Sequence, residues 1–215
     1  LEYNMRLIAF GDSWTAGHGV ENDVQYKEIA TPPLFVSKLR EQNSWPRWVA
    51  EKFDIPFVNN GECGFGNHYI LKKVEDCVEN NFIEKTDIVI VVFSYPYRYE
   101  KYNEYNVVEL YERFENVLKD YNHYYFNAFY PIFNDLTERI NLPNYFINPY
   151  SSLSYILQVA ELEKKENVWE YGSKMVWNDK KNFNEGDYHP NLNGYKIISD
   201  YIYEEIKKIE DAKTK

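Results

Sequence analysis

The sequence predicts a single α/β domain built on a parallel sheet, and three observations carry that expectation. Apolar runs alternate with helical patterns along all 215 residues, as they do in chains of successive β-α units. One run, Ile88-Val89-Ile90-Val91-Val92-Phe93, has no polar alternation, so it belongs at the centre of a sheet covered on both faces. The first run, Leu7-Ile8-Ala9-Phe10, ends in Gly11-Asp12-Ser13. That puts a hydroxyl at the carboxyl edge of the sheet, where open α/β folds bind ligands.

Strands are expected at Arg6–Phe10, Ile55–Val58, Ile88–Phe93, Tyr124–Tyr130 and Tyr145–Ile147, giving a mostly parallel five-stranded sheet. Between the third and fourth, Val107, Leu110, Tyr111, Phe114, Val117, Leu118 and Tyr121 recur at helical spacing and read as a core-facing stripe. The last helix follows Asn193-Gly194, and Ile198, Ile202, Ile206 and Ile209 form its apolar face. No repeat, low-complexity tract or linker divides the chain, so residues 1–215 are read as one domain. Two irregular stretches, Asp23–Pro33 and Trp169–Gly186, are expected at the rim of a ligand site.

The formal charge is −10, from 24 basic and 34 acidic residues, which opposes binding to nucleic-acid backbones and to anionic membranes. No apolar run approaches a membrane span and no signal-peptide pattern is present, although a mature secreted protein would read the same. Cys63 and Cys77 make no disulfide framework and no metal-ligand spacing. They are expected as buried free thiols of a reducing compartment such as the cytoplasm, and no metal or organic cofactor is expected. Oligomeric state is not readable from the sequence.

The polar residues at the two ends of the chain point to chemistry. Ser13 is a weak nucleophile by itself and needs a base within hydrogen-bond reach. Asp187-Tyr188-His189-Pro190-Asn191 supplies an imidazole and a carboxylate on a short segment, with Asn191 suited to start the final helix. Nucleophile, base and orienting acid are the parts of a serine hydrolase. The alternative for Ser13 is a helix N-cap. Of the other histidines, His123 opens a strand and reads as structural, while His18, between Gly17 and Gly19, is close enough to Ser13 to touch a substrate.

Gly11-Asp12-Ser13 together with the late Asp/His-Pro element resembles the SGNH (GDSL) hydrolase family. The resemblance implies a flavodoxin-like three-layer sandwich and hydrolysis of carboxylic esters through an acyl-enzyme. In that reading Ser13 attacks, His189 transfers protons and Asp187 orients the imidazole. The family's acid element is Asp-x-x-His, whereas Gly186 occupies that acid position here. Asp187, Glu185 or a backbone carbonyl is left to orient the ring. Asn59, Gly61 and Gly64 match the family's Asn-x-Gly-x-x-Gly spacing, which implies an oxyanion hole made by the N–H groups of Ser13 and Gly64.

The family's third donor, the asparagine of Gly-x-Asn-Asp, is missing, and Phe93-Ser94-Tyr95-Pro96-Tyr97-Arg98 stands in its place. Asn67 or Ser94 is expected to substitute. Arg98 either grips substrate or developing charge, or pairs with a surface acid. A similar Ser-x-Pro-x-Arg segment in relatives from phages and surface-polysaccharide systems points to an O-acetylated carbohydrate and to a cytoplasmic or virion-associated setting. Trp14, Tyr95, Tyr97 and the Trp177 region are candidates to stack on sugar faces, although aromatics this frequent also fill cores. The rival readings are a lipid or small-ester hydrolase, a non-catalytic carbohydrate-binding module of the same fold, and a flavodoxin-like nucleotide binder. The last lacks a phosphate-binding signature.

Overall fold

In a computed structural model, the fold is described over residues 5–20, 33–94, 104–128, 152–154, 156–157 and 189–214. Four strands, β1 (Leu7–Gly11), β2 (Phe57–Gly61), β3 (Ile88–Phe93) and β4 (Asn122–Asn127), form one sheet in the order β2-β1-β3-β4, with every pair parallel. This is the flavodoxin-like order for the strands described. The helices with described bounds are α1 (Ser13–Ala16), α2 (Pro33–Gln42), α3 (Trp45–Phe53), α4 (Asn67–Glu79), α5 (Glu104–Leu118) and α6 (Leu192–Lys213). The expected fifth strand, Tyr145–Ile147, and both irregular stretches apart from Pro33 lie outside the described residues.

Successive strand residues point to opposite faces, and this alternation builds two cores. Leu7, Ala9, Ile88, Ile90, Val92, Tyr124 and Phe126 pack with Trp45 and Val49 of α3 and with Tyr195, Ile198, Ile202 and Ile206 of α6. Ile8, Phe10, Val89, Val91, Phe93 and Tyr125 pack on the other face with Ile70, Leu71 and Val74 of α4 and Leu110, Tyr111, Phe114 and Leu118 of α5. Of the expected stripe after β3, Leu110, Tyr111, Phe114 and Leu118 are core residues and Val117 and Tyr121 pack at its margin, while the side chain of Val107 lies outside those described; in α6, Ile198, Ile202 and Ile206 are core and Ile209 is partly buried. Each buried isoleucine of α6 contributes on the order of 2 kcal/mol through apolar area removed from water.

Strand β3 has the expected bounds, and β1 differs by one residue at each end. β2 is displaced from Ile55–Val58 to Phe57–Gly61. Ile55 is used to end α3, donating its N–H to Ala50 O at 3.1 Å after Asp54 turns left-handed at φ 54°. The strand then runs on through Asn59 and Asn60, polar residues tolerated because β2 is only half-buried along its length. β4 begins two residues before the expected Tyr124, where Asn122 pairs in register with Ile88.

Both ends of the central β1–β3 pair are tied by an aspartate. At the amino end, Asp87 takes hydrogen bonds from Arg6 Nε at 3.2 Å and Nη2 at 2.7 Å and from the backbone N–H groups of Arg6 and Glu84. The hydrogen bond to Asp87, with its charge, raises the Arg6 pKa against a smaller desolvation effect. At the carboxyl end, Asp12 is the N-cap of α1.

Candidate active site

Asp12 settles the alternative reading of its neighbour. Its Oδ1 accepts the Trp14 N–H at 3.0 Å, so Asp12 does the capping and Ser13 is the first residue inside the helix. The serine is therefore released from capping duty. It lies at the carboxyl edge of β1 and is 4 % exposed.

The loop after β2 is stapled beneath the same turn. Asn59 Oδ1 accepts the Gly61 N–H at 2.9 Å, while its Nδ2 donates to Thr15 O at 2.8 Å and to Ser44 Oγ at 3.1 Å. Gly61 is required by close approach, since a Cβ there would stand 2.4 Å from Ala16 N. Gly64 is required for a different reason. Its φ is +87°, a conformation side chains rarely adopt, and a Cβ built on it would meet nothing within 4 Å. Thus the Asn59-x-Gly61-x-x-Gly64 spacing describes one residue that ties β2 to α1, one that lets them touch and one that faces open space.

Asn67 and Ser94, expected as alternative third oxyanion donors, are assigned other work. Asn67 is fully buried as the first residue of α4. Its Oδ1 accepts the Ser94 N–H at 2.8 Å and its Nδ2 donates to Ser94 O at 3.2 Å, so the carboxamide pairs with one residue's backbone as a strand would. The Ser94 hydroxyl donates to Asp12 Oδ2 at 2.7 Å. A hydroxyl has one proton to give, and this one goes to the aspartate beside Ser13. Asn67, Ser94 and Asp12 form a buried frame that joins the ends of β1 and β3 to α4. Sequence reasoning missed it because its members meet only in the folded chain.

His189 immediately precedes Pro190 and the N-cap Asn191, whose Oδ1 accepts the Gly194 N–H at 3.0 Å. Its ring stacks on His18, with centroids 4.1 Å apart and planes 20° from parallel. The His18 N–H in turn donates to Ser13 O at 2.9 Å. The fold therefore connects Ser13 to His189 through a single intervening residue. Cys63 sits on the outer side of this group: His18 Nδ1 is 3.4 Å from its sulfur, and Arg40 Nη1 donates to the same sulfur at 3.5 Å.

Other expectations are corrected. Trp14, expected against a sugar face, is 1 % exposed and belongs to the core beside α3, so its ring has no face to offer. Cys63, expected as a buried thiol, is exposed, and Cys77 is half-buried; neither is in a disulfide. His123 is structural as expected, with Nε2 at 2.9 Å from Glu115 Oε2 and Nδ1 at 2.9 Å from Tyr121 O. Asp187, Glu185, Tyr95, Tyr97, Arg98 and Trp177 lie outside the described residues. Among the described residues, no three His, Cys, Asp or Glu side chains are grouped to hold a metal ion, and no helix is long and apolar enough to cross a membrane.

No protein-family model matches the sequence, and comparison with curated proteins finds no relative. Solved structures do match. A protein assigned to the lipolytic G-D-S-L family from Desulfitobacterium hafniense DCB-2 is 14 % identical at a TM-score of 0.51, covering 94 % of this chain and 99 % of its own. The psychrotrophic esterase EstA from Pseudoalteromonas sp., solved inhibited by monoethylphosphonate, is 14 % identical at a TM-score of 0.52, covering 96 % and 98 %. A family 3 carbohydrate esterase from Clostridium thermocellum is 15 % identical at a TM-score of 0.50, covering 97 % and 98 %. These likenesses establish the fold as the α/β sandwich of the G-D-S-L (SGNH) hydrolases.

Proposed function

We propose that this protein is a serine ester hydrolase of the SGNH type, acting through an acyl-enzyme on an O-acylated carbohydrate. The observation that carries the reading is the convergence of the chain's two ends. Ser13, freed from capping by Asp12, lies one residue's contact away from the ring of His189.

In this reading Ser13 Oγ attacks the ester carbonyl while His189 takes its proton. The N–H groups of Ser13 and Gly64 hold the oxyanion in this reading. Collapse of the tetrahedral intermediate breaks the ester C–O bond, and His189 returns the proton to the departing sugar oxygen, which leaves as the hydroxyl. Water, deprotonated by His189, then attacks the acyl-enzyme, releasing the carboxylic acid and restoring Ser13. Asp187 orients the imidazole. Asn67 and Ser94 enter as the frame that fixes Asp12, and through it Ser13, rather than as oxyanion donors.

The Ser94-Tyr95-Pro96-Tyr97-Arg98 segment, the abundance of tyrosine and an acidic surface suited to uncharged substrates favour an acylated glycan over an anionic lipid. Turnover of p-nitrophenyl acetate and of an acetylated oligosaccharide by the wild type, Ser13→Ala and His189→Ala tests the reading. Loss of about four orders of magnitude or more in kcat for either variant is expected, with melting temperature unchanged. Near-wild-type turnover by folded Ser13→Ala overturns it, and oligosaccharide binding without any turnover by the wild type points to a binding module instead.

A further inference from the structure

The stacked pair of imidazoles goes beyond a triad, which needs only one. We propose that His18 is a positioning residue for His189: its ring is the platform on which the His189 ring is held for proton transfer at Ser13. The inference rests on the Ser13–His189 reading above.

The platform is itself fixed from several directions. The His18 N–H is held by Ser13 O at 2.9 Å, and its carbonyl accepts the Tyr195 hydroxyl at 2.7 Å. Tyr195 is fully buried in the core, so this bond ties His18 to α6. The ring's Nδ1 lies 3.4 Å from Cys63 Sγ on the loop after β2, and that sulfur is also contacted by Arg40 of α2. Gly17 at φ +80° and Gly19 at φ +108° flank the residue, so the backbone turns sharply on both sides of it and presents the side chain. The chain that His189 opens therefore grips His18 twice, by ring stacking and through Tyr195.

What His18 supplies is orientation. His189 stands on the approach to α6, outside any helix or strand ladder that would fix a rotamer, and a base displaced by about 1 Å loses up to about a hundredfold in rate. A flat ring at 4.1 Å removes the freedom of His189 to rotate away from Ser13. The stacking face is what matters, so a flat apolar ring should serve nearly as well as imidazole.

Two variants and two measurements test this. His18→Ala is expected to lower kcat on p-nitrophenyl acetate by about tenfold to a hundredfold with KM little changed, and His18→Phe to recover most of that loss. In parallel, proton NMR of the four histidines, with His189 assigned by its disappearance in His189→Gln, reads the stacking directly. The His189 ring protons should lose their upfield ring-current shift in His18→Ala and keep it in His18→Phe. A folded His18→Ala protein with wild-type kcat, or His189 resonances that do not move, overturns the proposal. Failure of the parent reading looks different. It appears as turnover retained in Ser13→Ala, and the resonances then decide the stacking on their own.

Discussion

Two aspartates close the two ends of the same pair of central strands, and they do so in opposite ways. Asp87, at the amino end, is fully buried and faces a guanidinium: Arg6 Nη2 lies 2.7 Å from its Oδ2, and the Arg6 side chain is 26 % exposed. Asp12, at the carboxyl end, is also fully buried, but it accepts a backbone N–H from Trp14 and a hydroxyl from Ser94. The first arrangement is a clamp, holding the lead-in to β1 against the lead-in to β3. The second joins the same strands where the sheet opens toward a ligand, and its neighbour in sequence is Ser13. In the proposed reading, stability is concentrated at one end of the sheet and the reacting groups at the other, as expected where ligands bind beyond the carboxyl ends of strands.

The largest effect is expected at Asp87. Replacing it with Ala leaves Arg6 facing a gap and should cost about 3 kcal/mol of stability, at the low end for a broken buried pair because Arg6 reaches solvent. Urea unfolding should show the loss, while the folded fraction keeps its esterase kcat. Equal losses of stability from Asp87→Ala and Asp12→Asn would erase the distinction drawn here.

Asp12→Asn should do the reverse. Asparagine caps helices as well as aspartate does, so the melting temperature should change little. Its amide cannot both cap α1 and accept the Ser94 proton as a carboxylate does, so the frame beside Ser13 loosens. A fall in kcat of about tenfold to a hundredfold is expected, the range for a slightly misplaced reactive group. Activity equal to wild type would remove Asp12, Ser94 and Asn67 from the account of the site.

Much of the fold was legible in the sequence, and less of the site. The unbroken apolar run Ile88–Phe93 predicts a doubly covered strand, and the helical spacing within Leu110–Leu118 and Ile198–Ile206 predicts core faces; the strand and both faces occupy those places. β2 was misplaced because Ile55 is apolar for another reason, the end of α3, and because an edge position lets Asn59 and Asn60 stand in a strand. Within the site, the placement of Ser13 after β1 was readable from a local pattern. The Ser94–Asp12 bond, the Asn67–Ser94 pair and the His18–His189 stack were not, because each joins residues brought together only when separate β-α units pack. Of the two readings open for Trp14, a sugar platform and a core filler, its burial selects the second.

A smaller effect sharpens the same contrast between closed and open regions. Burial raises the Cys77 pKa above its ordinary value, with Lys73 opposing and Asp76 adding to the shift. A raised pKa means less thiolate at any pH below it, and thiolate is the species that alkylates. Exposed Cys63, beside His18 and Arg40, should therefore react with iodoacetamide several-fold faster than Cys77 at pH 8. Peptide mapping of a time course reads the order, and faster labelling of Cys77 would contradict the burial assigned to α4.

If Ser13 is an activated nucleophile, a fluorophosphonate probe reads that state without any choice of substrate. Incubation with the native protein, followed by digestion and mass spectrometry, should find one phosphonyl adduct, on the peptide carrying Gly11-Asp12-Ser13. Labelling should fall sharply in His189→Ala, because the serine then lacks its base. An unlabelled native protein, or an adduct on any other residue with Ser13 unmodified, would contradict the account.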